Sequence, residues 1–178
     1  MSQSAIDSAT QEKLEALIKQ EEGDSNKYKG LFAVFLTLIA VSMSLFHLYA
    51  AYSIVPTQVL RTVHVSFMLF LVFLSFPLMA RFKNRLMWWD VICALLAIYV
   101  AYFAISSGDD FGDRNTAPNS IDIVWGTILI LLILEAVRRT SGFILVSVTV
   151  LFLMYALFGD YLPAPWTHKG YSIDRLVG

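Results

Sequence analysis

The sequence predicts an all-α integral membrane protein, a bundle of about five transmembrane helices preceded by a short amphipathic helix. Composition supports this fold class, because apolar residues make up 57% of the 178 residues and charged residues only 15%. The apolar residues also gather in five long stretches, and a hydrocarbon core about 30 Å thick requires roughly 20 residues per helix. Backbone groups in lipid must be satisfied within their own segment, so each stretch is predicted to be helical.

Short charged loops separate the five predicted spans. The spans are Leu31 to Tyr52, Val59 to Ala80, Trp88 to Ile105, Ile121 to Val137 and Phe143 to Phe158. We divide the chain accordingly into an N-terminal segment, residues 1–29, a four-helix membrane domain, residues 30–140, and a fifth helix with a polar tail, residues 141–178.

The N-terminal segment is predicted to carry one short helix. Ser8 and Gln11 have the spacing of a capping box, Glu15 and Lys19 form an i, i+4 pair, and Gly23 stands where a helix ends. The segment is polar and the first apolar stretch is too long for a signal peptide, so we expect that stretch to remain in the mature protein.

Lysine and arginine in the loops predict the orientation. They precede the first span and occupy the loops after the second and fourth spans: Lys27, Lys29, Arg81, Lys83, Arg85, Arg138 and Arg139. The loop after the third span holds Asp109, Asp110 and Asp113 against one basic residue, Arg114. The positive-inside rule then predicts a cytoplasmic N-terminus and a C-terminus on the outer side. Trp88 and Trp89, directly after a basic loop, are predicted interface anchors.

Small residues recur on one stripe of two spans. The first span has Ala33, Thr37, Ala40, Ser44, His47 and Ala51, and the third has Ala94, Ala97, Ala101 and Ala104. Membrane helices associate where small residues allow backbones to approach closely. Both stripes are therefore predicted contact faces, with Ala97 and Ala101 at the centre of the second.

Two histidines are the leading functional candidates among the ionisable residues of the predicted spans. His47 lies about six residues before the end of the first span and His64 about six after the start of the second, so they could share a depth. Two imidazoles at one depth could clamp a haem iron, which leaves a redox-complex anchor as an alternative function. The simpler interpretation is a neutral pair that hydrogen-bonds to neighbours such as Ser44 or Tyr49. Arg61 is explained by snorkelling to the interface.

The remaining intramembrane charges are expected to be structural. Glu135 can pair with Arg138 and Arg139 at i, i+3 and i, i+4. Asp90, at the start of the third span, complements the dipole of the helix N-terminus. Each group thereby avoids the cost of an uncompensated charge in lipid.

Motifs of other functional classes do not occur in the sequence. It contains no glycine-rich phosphate loop, HExxH, nucleophile elbow or carboxylate pair, so we do not expect an enzyme. The lone Cys93 provides neither a disulfide nor a thiolate pair for a metal, and no basic, aromatic surface indicates nucleic-acid binding. We expect no cofactor in this chain.

Four tracts of the sequence together are typical of one family. They are Met87-Trp88-Trp89-Asp90, Leu134 to Phe143 with its Glu-Ala-x-Arg-Arg core, Tyr155 to Pro163, and His168 to Ser172. These tracts resemble the beginning of a fused permease of the tripartite ATP-independent periplasmic (TRAP) transporters, in the subfamily served by TAXI-type binding proteins. The similarity extends from about Phe32 to Gly178.

The resemblance implies a division of labour in a bacterial inner membrane. Residues 31–137 would be the four-helix stator, and Phe143 to Phe158 the connector or first helix of the large part. That large, elevator-type subunit would bind substrate and sodium ions, and a periplasmic TAXI-type protein would deliver small organic anions. Because the sequence stops at Gly178, before any substrate-binding segment, it would be a split subunit or a piece of a longer product.

Overall fold

The computed structural model describes residues 10–14, 25–26, 28–82, 84–108 and 117–177. Within these residues it is helical and contains no strand. Five helices are long and apolar enough to span a membrane. They are α1 (Leu31–Tyr52), α2 (Thr57–Ser75), α3 (Trp88–Ser106), α4 (Ser120–Ser141) and α5 (Phe143–Phe158). A short helix, α6 (Ile173–Val177), follows in the tail. The helix predicted in the N-terminal segment lies mostly outside the described residues. The part of it that is described, residues 10–14, is helical.

The second span is shorter than the predicted stretch from Val59 to Ala80. Helix α2 ends at Ser75, and Phe76 is extended with φ −112° and ψ 125°. Pro77 explains this end, because a proline disfavours helical geometry at the residue before it. The chain then forms a 3₁₀ turn, Ala80–Phe82, before α3.

Helices α2, α3 and α4 form the core of the bundle. The α2 and α3 pair makes the most extensive contact, and α4 packs against both helices. The hydrophobic cluster between them consists of Leu69, Phe73, Leu74, Ala94, Ala97, Leu132 and Ala136. Ala94 and Ala97 are each 1% exposed and Ala101 is 9% exposed, so the predicted alanine stripe of the third span is a contact face.

Helix α1 is peripheral, and the prediction for its small-residue stripe is wrong. It has no buried residue, and Thr37, Ala40 and Ser44 are exposed. The side that packs is displaced by one residue and carries large groups: Phe32 and Leu36 lie against the core, and the Phe35 ring meets Phe70 edge-on at 6.5 Å.

The bundle has two chemically distinct ends. The basic end carries Arg81, Arg85, Arg138 and Arg139, and the opposite end lies where Gln58 donates a hydrogen bond to the Ala104 carbonyl at 3.4 Å. Asn26, which precedes α1, binds two other segments at the basic end. Its backbone N–H donates to the Ser75 carbonyl at 2.7 Å, and its side-chain oxygen accepts from the Asn84 backbone N–H at 2.6 Å.

The tail after α5 folds back onto the bundle. The Tyr171 backbone N–H donates to the Ala156 carbonyl at 2.8 Å, and α6 packs against α4. Gly126 of α4 makes this approach possible, since a Cβ there would overlap Val177. The tail is therefore an integral part of the end at which α5 finishes.

Candidate functional site

Four charged side chains meet at the basic end, and we call Asp90, Glu135, Arg138 and Arg139 the charge cluster. Arg139 is its centre. Its Nη1 lies 2.6 Å from Asp90 Oδ1, and its Nε lies 2.8 Å from Glu135 Oε1. The side chain is 0% exposed, so this interhelical ion pair is shielded from solvent. The two acids and two bases make the cluster neutral as a whole.

Backbone and aromatic groups complete the environment of Arg139. Its Nη1 also donates to the Phe76 carbonyl at 3.1 Å, and its guanidinium lies over the Phe73 ring, 5.0 Å from the centroid. That carbonyl is available because α2 ends at Ser75, so the chain break before Pro77 supplies an acceptor. Arg139 Nη2 is the one buried side-chain polar atom without a partner among the described residues.

Arg138 extends the cluster toward the surface. Its Nε and Nη2 bind the two Glu135 oxygens at 2.7 and 2.8 Å, a bidentate arrangement that is stronger than a single contact. Nη2 also donates to the Leu78 carbonyl at 2.7 Å. Both pairs of Glu135 expected from sequence spacing are present, and the segment after α2 is bound to the same arginines.

Asp90 does more than the helix-dipole role predicted for it. One carboxylate oxygen accepts from the Met87 backbone N–H at 3.0 Å and caps α3, while the other binds Arg139. The interhelical pair was not predicted from sequence. A signal existed, since Asp90 begins a span and Arg139 ends the next one on the same predicted side of the membrane.

The charge cluster joins α3, α4 and the segment after α2 through ion pairs and hydrogen bonds. Asp122 is the other acid in the described spans, and it caps α4 at the opposite end by accepting from Asn119 N–H at 3.0 Å. Thirteen residues of helix separate it from Glu135, about 20 Å along the axis. These acids therefore do not form a proton relay through the described spans.

His47 and His64 are paired directly, which corrects the partners expected for them. His64 Nδ1 lies 2.9 Å from His47 Nε2, and His47 Nδ1 lies 2.7 Å from the Met43 carbonyl oxygen rather than near Ser44 or Tyr49. In the neutral pair the Met43 contact fixes the proton on His47 Nδ1, so His64 Nδ1–H donates to His47 Nε2.

This geometry does not fit the haem alternative. Two nitrogens that bind one metal ion from opposite sides are about 4 Å apart, given metal–nitrogen bonds of about 2.0 to 2.1 Å. Here His47 Nε2 and His64 Nδ1 are 2.9 Å apart, and the other nitrogen of His47 is bound to Met43. The pair instead forms a polar link between α1 and α2.

The other predicted residues lie at the ends of the bundle. Trp88 and Trp89 stack with centroids 4.0 Å apart and are 61% and 48% exposed at the basic end, as an interface anchor requires. Arg61 is exposed on the second turn of α2, near the opposite end, and lines a groove. The structure does not bring Arg61 together with the charge cluster.

The tracts that carry the resemblance meet in pairs. Asp90 of the first tract binds Arg139 of the second, and the Tyr155 carbonyl of the third lies 3.0 Å from His168 Nε2 of the fourth. Comparison with protein-family models, with curated proteins and with solved structures finds no match to this chain.

Proposed function

We propose that this chain is the membrane scaffold, or stator, of a TRAP-type transporter. The observation that carries the proposal is the neutral charge cluster, in which ion pairs link Asp90, Glu135, Arg138 and Arg139 and Arg139 Nη2 alone lacks a partner among the described residues. Such a cluster fixes helices rather than binding a solute. Substrate sites in transporters use broken helices and free polar groups near the midplane, whereas α3 and α4 are continuous and apolar between their ends.

The exposed helices support a partner-dependent role. Helix α1 has no buried residue, and α5 exposes large groups such as Phe152 at 68% and Ile144 at 83%. A large elevator-type subunit would cover part of these faces, and a periplasmic TAXI-type protein would deliver a small organic anion. Sodium ions would bind to the large subunit rather than to this chain.

The proposal includes an orientation in a bacterial inner membrane. The basic end would face the cytoplasm and the acidic loop after α3 the periplasm, as the distribution of arginine and lysine predicts. Single cysteines at Arg85 and at Ala117, in a Cys93→Ala background, test this with an impermeant thiol reagent on intact cells. We expect labelling at position 117 and none at 85; the reverse pattern would overturn the orientation.

The functional test begins with a tagged chain purified from its own membranes after mild cross-linking. We expect a large multi-spanning membrane protein to copurify, and reconstitution of both with the binding protein to give sodium-driven uptake of labelled organic anions without ATP. Each component is then left out in turn. Uptake by this chain alone, or undiminished uptake without it, would defeat the stator proposal.

The same purified protein tests the alternative of a haem-binding anchor. Because the two imidazoles bind each other, we expect no Soret band in the absorbance spectrum. A Soret band that disappears in a His64→Leu variant would favour the redox alternative over the transporter.

A further inference from the structure

An apolar groove with a volume of about 200 Å³ lies between α2, α3 and α4, toward the opposite end of the bundle. Ala101 and Ala104 line it from α3, and Leu129 lines it from α4. The groove exists because the short alanine side chains do not fill the space between the neighbouring helices.

Three polar side chains of α2 also line this groove: Arg61, Thr62 and Ser66. None of them has a hydrogen-bond or ion-pair partner among the residues that the structure describes. Hydroxyl groups elsewhere in the spans behave differently. Those of Thr37 and Thr127 bond to the carbonyl four residues earlier, at 2.9 and 2.7 Å. The hydroxyls in the groove are thus available to a ligand.

The groups follow a fixed order along α2. Arg61 lies four residues after the start of the helix, about 6 Å along its axis, and Ser66 lies about 14 Å along it. Thr62 lies between them. A ligand entering from this end of the bundle therefore meets a cation first, then two hydroxyls, and hydrocarbon walls throughout.

We infer that this groove binds one phospholipid from the adjacent leaflet. Its phosphate pairs with the Arg61 guanidinium, the Thr62 and Ser66 hydroxyls donate to its ester oxygens, and one acyl chain lies along Ala101, Ala104 and Leu129. Charge complementarity supports this occupant, because guanidinium and phosphate form strong, charge-assisted hydrogen bonds. The inference is independent of the proposed transport function.

A phospholipid matches the groove better than an apolar partner helix does, because such a helix carries no anion to pair with Arg61.

Native mass spectrometry of the purified full chain, titrated with dioleoyl phosphatidylglycerol, tests the inference. Arg61→Gln removes the charge and leaves a shorter, polar side chain, and we expect it to lower the fraction carrying one lipid about fivefold. Arg85→Gln is the matched control, because Arg85 is exposed at the basic end. It should bind as wild type does.

A second pair of variants tests the hydrocarbon part of the groove. Ala104→Leu fills the groove and should abolish one-lipid binding, whereas Ala40→Leu adds the same bulk to the exposed face of α1 and should not. Thr62→Val removes a hydroxyl at almost constant volume and should reduce binding severalfold. If Ala104→Leu does not fold, Thr62→Val tests whether the lipid binds in the groove. Dioleoylglycerol, which lacks the phosphate, should bind wild type and Arg61→Gln equally weakly.

Two results would overturn the inference. One is equal phosphatidylglycerol binding by Arg61→Gln and Arg85→Gln. The other is equal binding of phosphatidylglycerol and dioleoylglycerol by the wild-type chain, since the phosphate would then contribute nothing.

Discussion

The basic end of the α2–α3–α4 core and helix α1 differ in how strongly they are bound to the rest of the chain. The core closes on itself through Arg139, whose side chain is fully buried and bound to two carboxylates on two helices. Helix α1 buries no residue, and its one side-chain hydrogen bond to α2 is that between His47 and His64, among the described residues. The contrast teaches that this chain has a three-helix core and peripheral helices whose exposed apolar faces suit contact with a lipid bilayer. Four predictions test that contrast.

Removing the centre of the charge cluster should have the largest effect. Arg139→Leu leaves the buried Asp90 without its partner and removes one of the two arginines from Glu135, and breaking a buried pair costs about 3 to 5 kcal/mol. We expect this loss in the free energy of unfolding, measured by titrating mixed micelles with dodecyl sulfate. Asp90→Asn added to Arg139→Leu should recover part of the loss. Arg81→Gln, an exposed control, should change the free energy of unfolding little. Equal effects of Arg139→Leu and Arg81→Gln would contradict a stabilising role of the charge cluster.

Replacing alanine by leucine should be costly in the core and tolerated on α1. Ala97 is 1% exposed, so Ala97→Leu overpacks the contact between α2 and α3 and should cost about 1 to 3 kcal/mol. Ala101→Leu should also destabilise the contact. The same substitution at exposed Ala40 should cost almost nothing in the isolated chain, and Leu95→Ala, on the exposed side of α3, should matter less than Ala97→Leu. Equal tolerance at positions 97 and 40 would remove the distinction between core and periphery.

Breaking the histidine link should loosen α1 while leaving the core intact. An interhelical hydrogen bond in a membrane contributes about 0.6 kcal/mol on average, so His64→Leu should lower global stability only slightly. Hydrogen–deuterium exchange should nevertheless rise in α1 and stay unchanged in α3. Increased exchange in both helices would show that α1 belongs to the core.

The smallest effect concerns Tyr28, which precedes α1 at the basic end. Burial, with a further contribution from the negative charge of Asp90, raises the pKa of the Tyr28 hydroxyl above its usual value of 10.0. The neutral form is thus favoured in the folded state, so its contribution is complete below pH 10 and falls as the pH rises through the higher folded pKa. As the pH rises above 10, the free energy of unfolding should therefore fall less for Tyr28→Phe than for wild type. Parallel pH profiles would contradict this.

Local patterns predicted the helices and part of the charge cluster well. The bounds of α1 and α5 coincide with the apolar stretches, because hydrophobicity over that length leaves a helix as the way to satisfy the backbone in lipid. Glu135 and its two arginines lie within one helical turn, so their spacing alone predicts contact. The end of α2 was missed because apolar residues continue past Ser75, although Pro77 marked it.

The sequence by itself determined the all-helical class, the five apolar spans and the pairing of Glu135, since these depend on composition and on spacing within one segment. Only the tertiary structure decided which face of α1 packs, that Asp90 meets Arg139, that His47 bonds to His64, and that Arg61 lines a groove. Each of these depends on the rotation and depth of one helix relative to another. Those relations arise from side-chain packing between segments far apart in the chain, which periodicity within one segment does not specify.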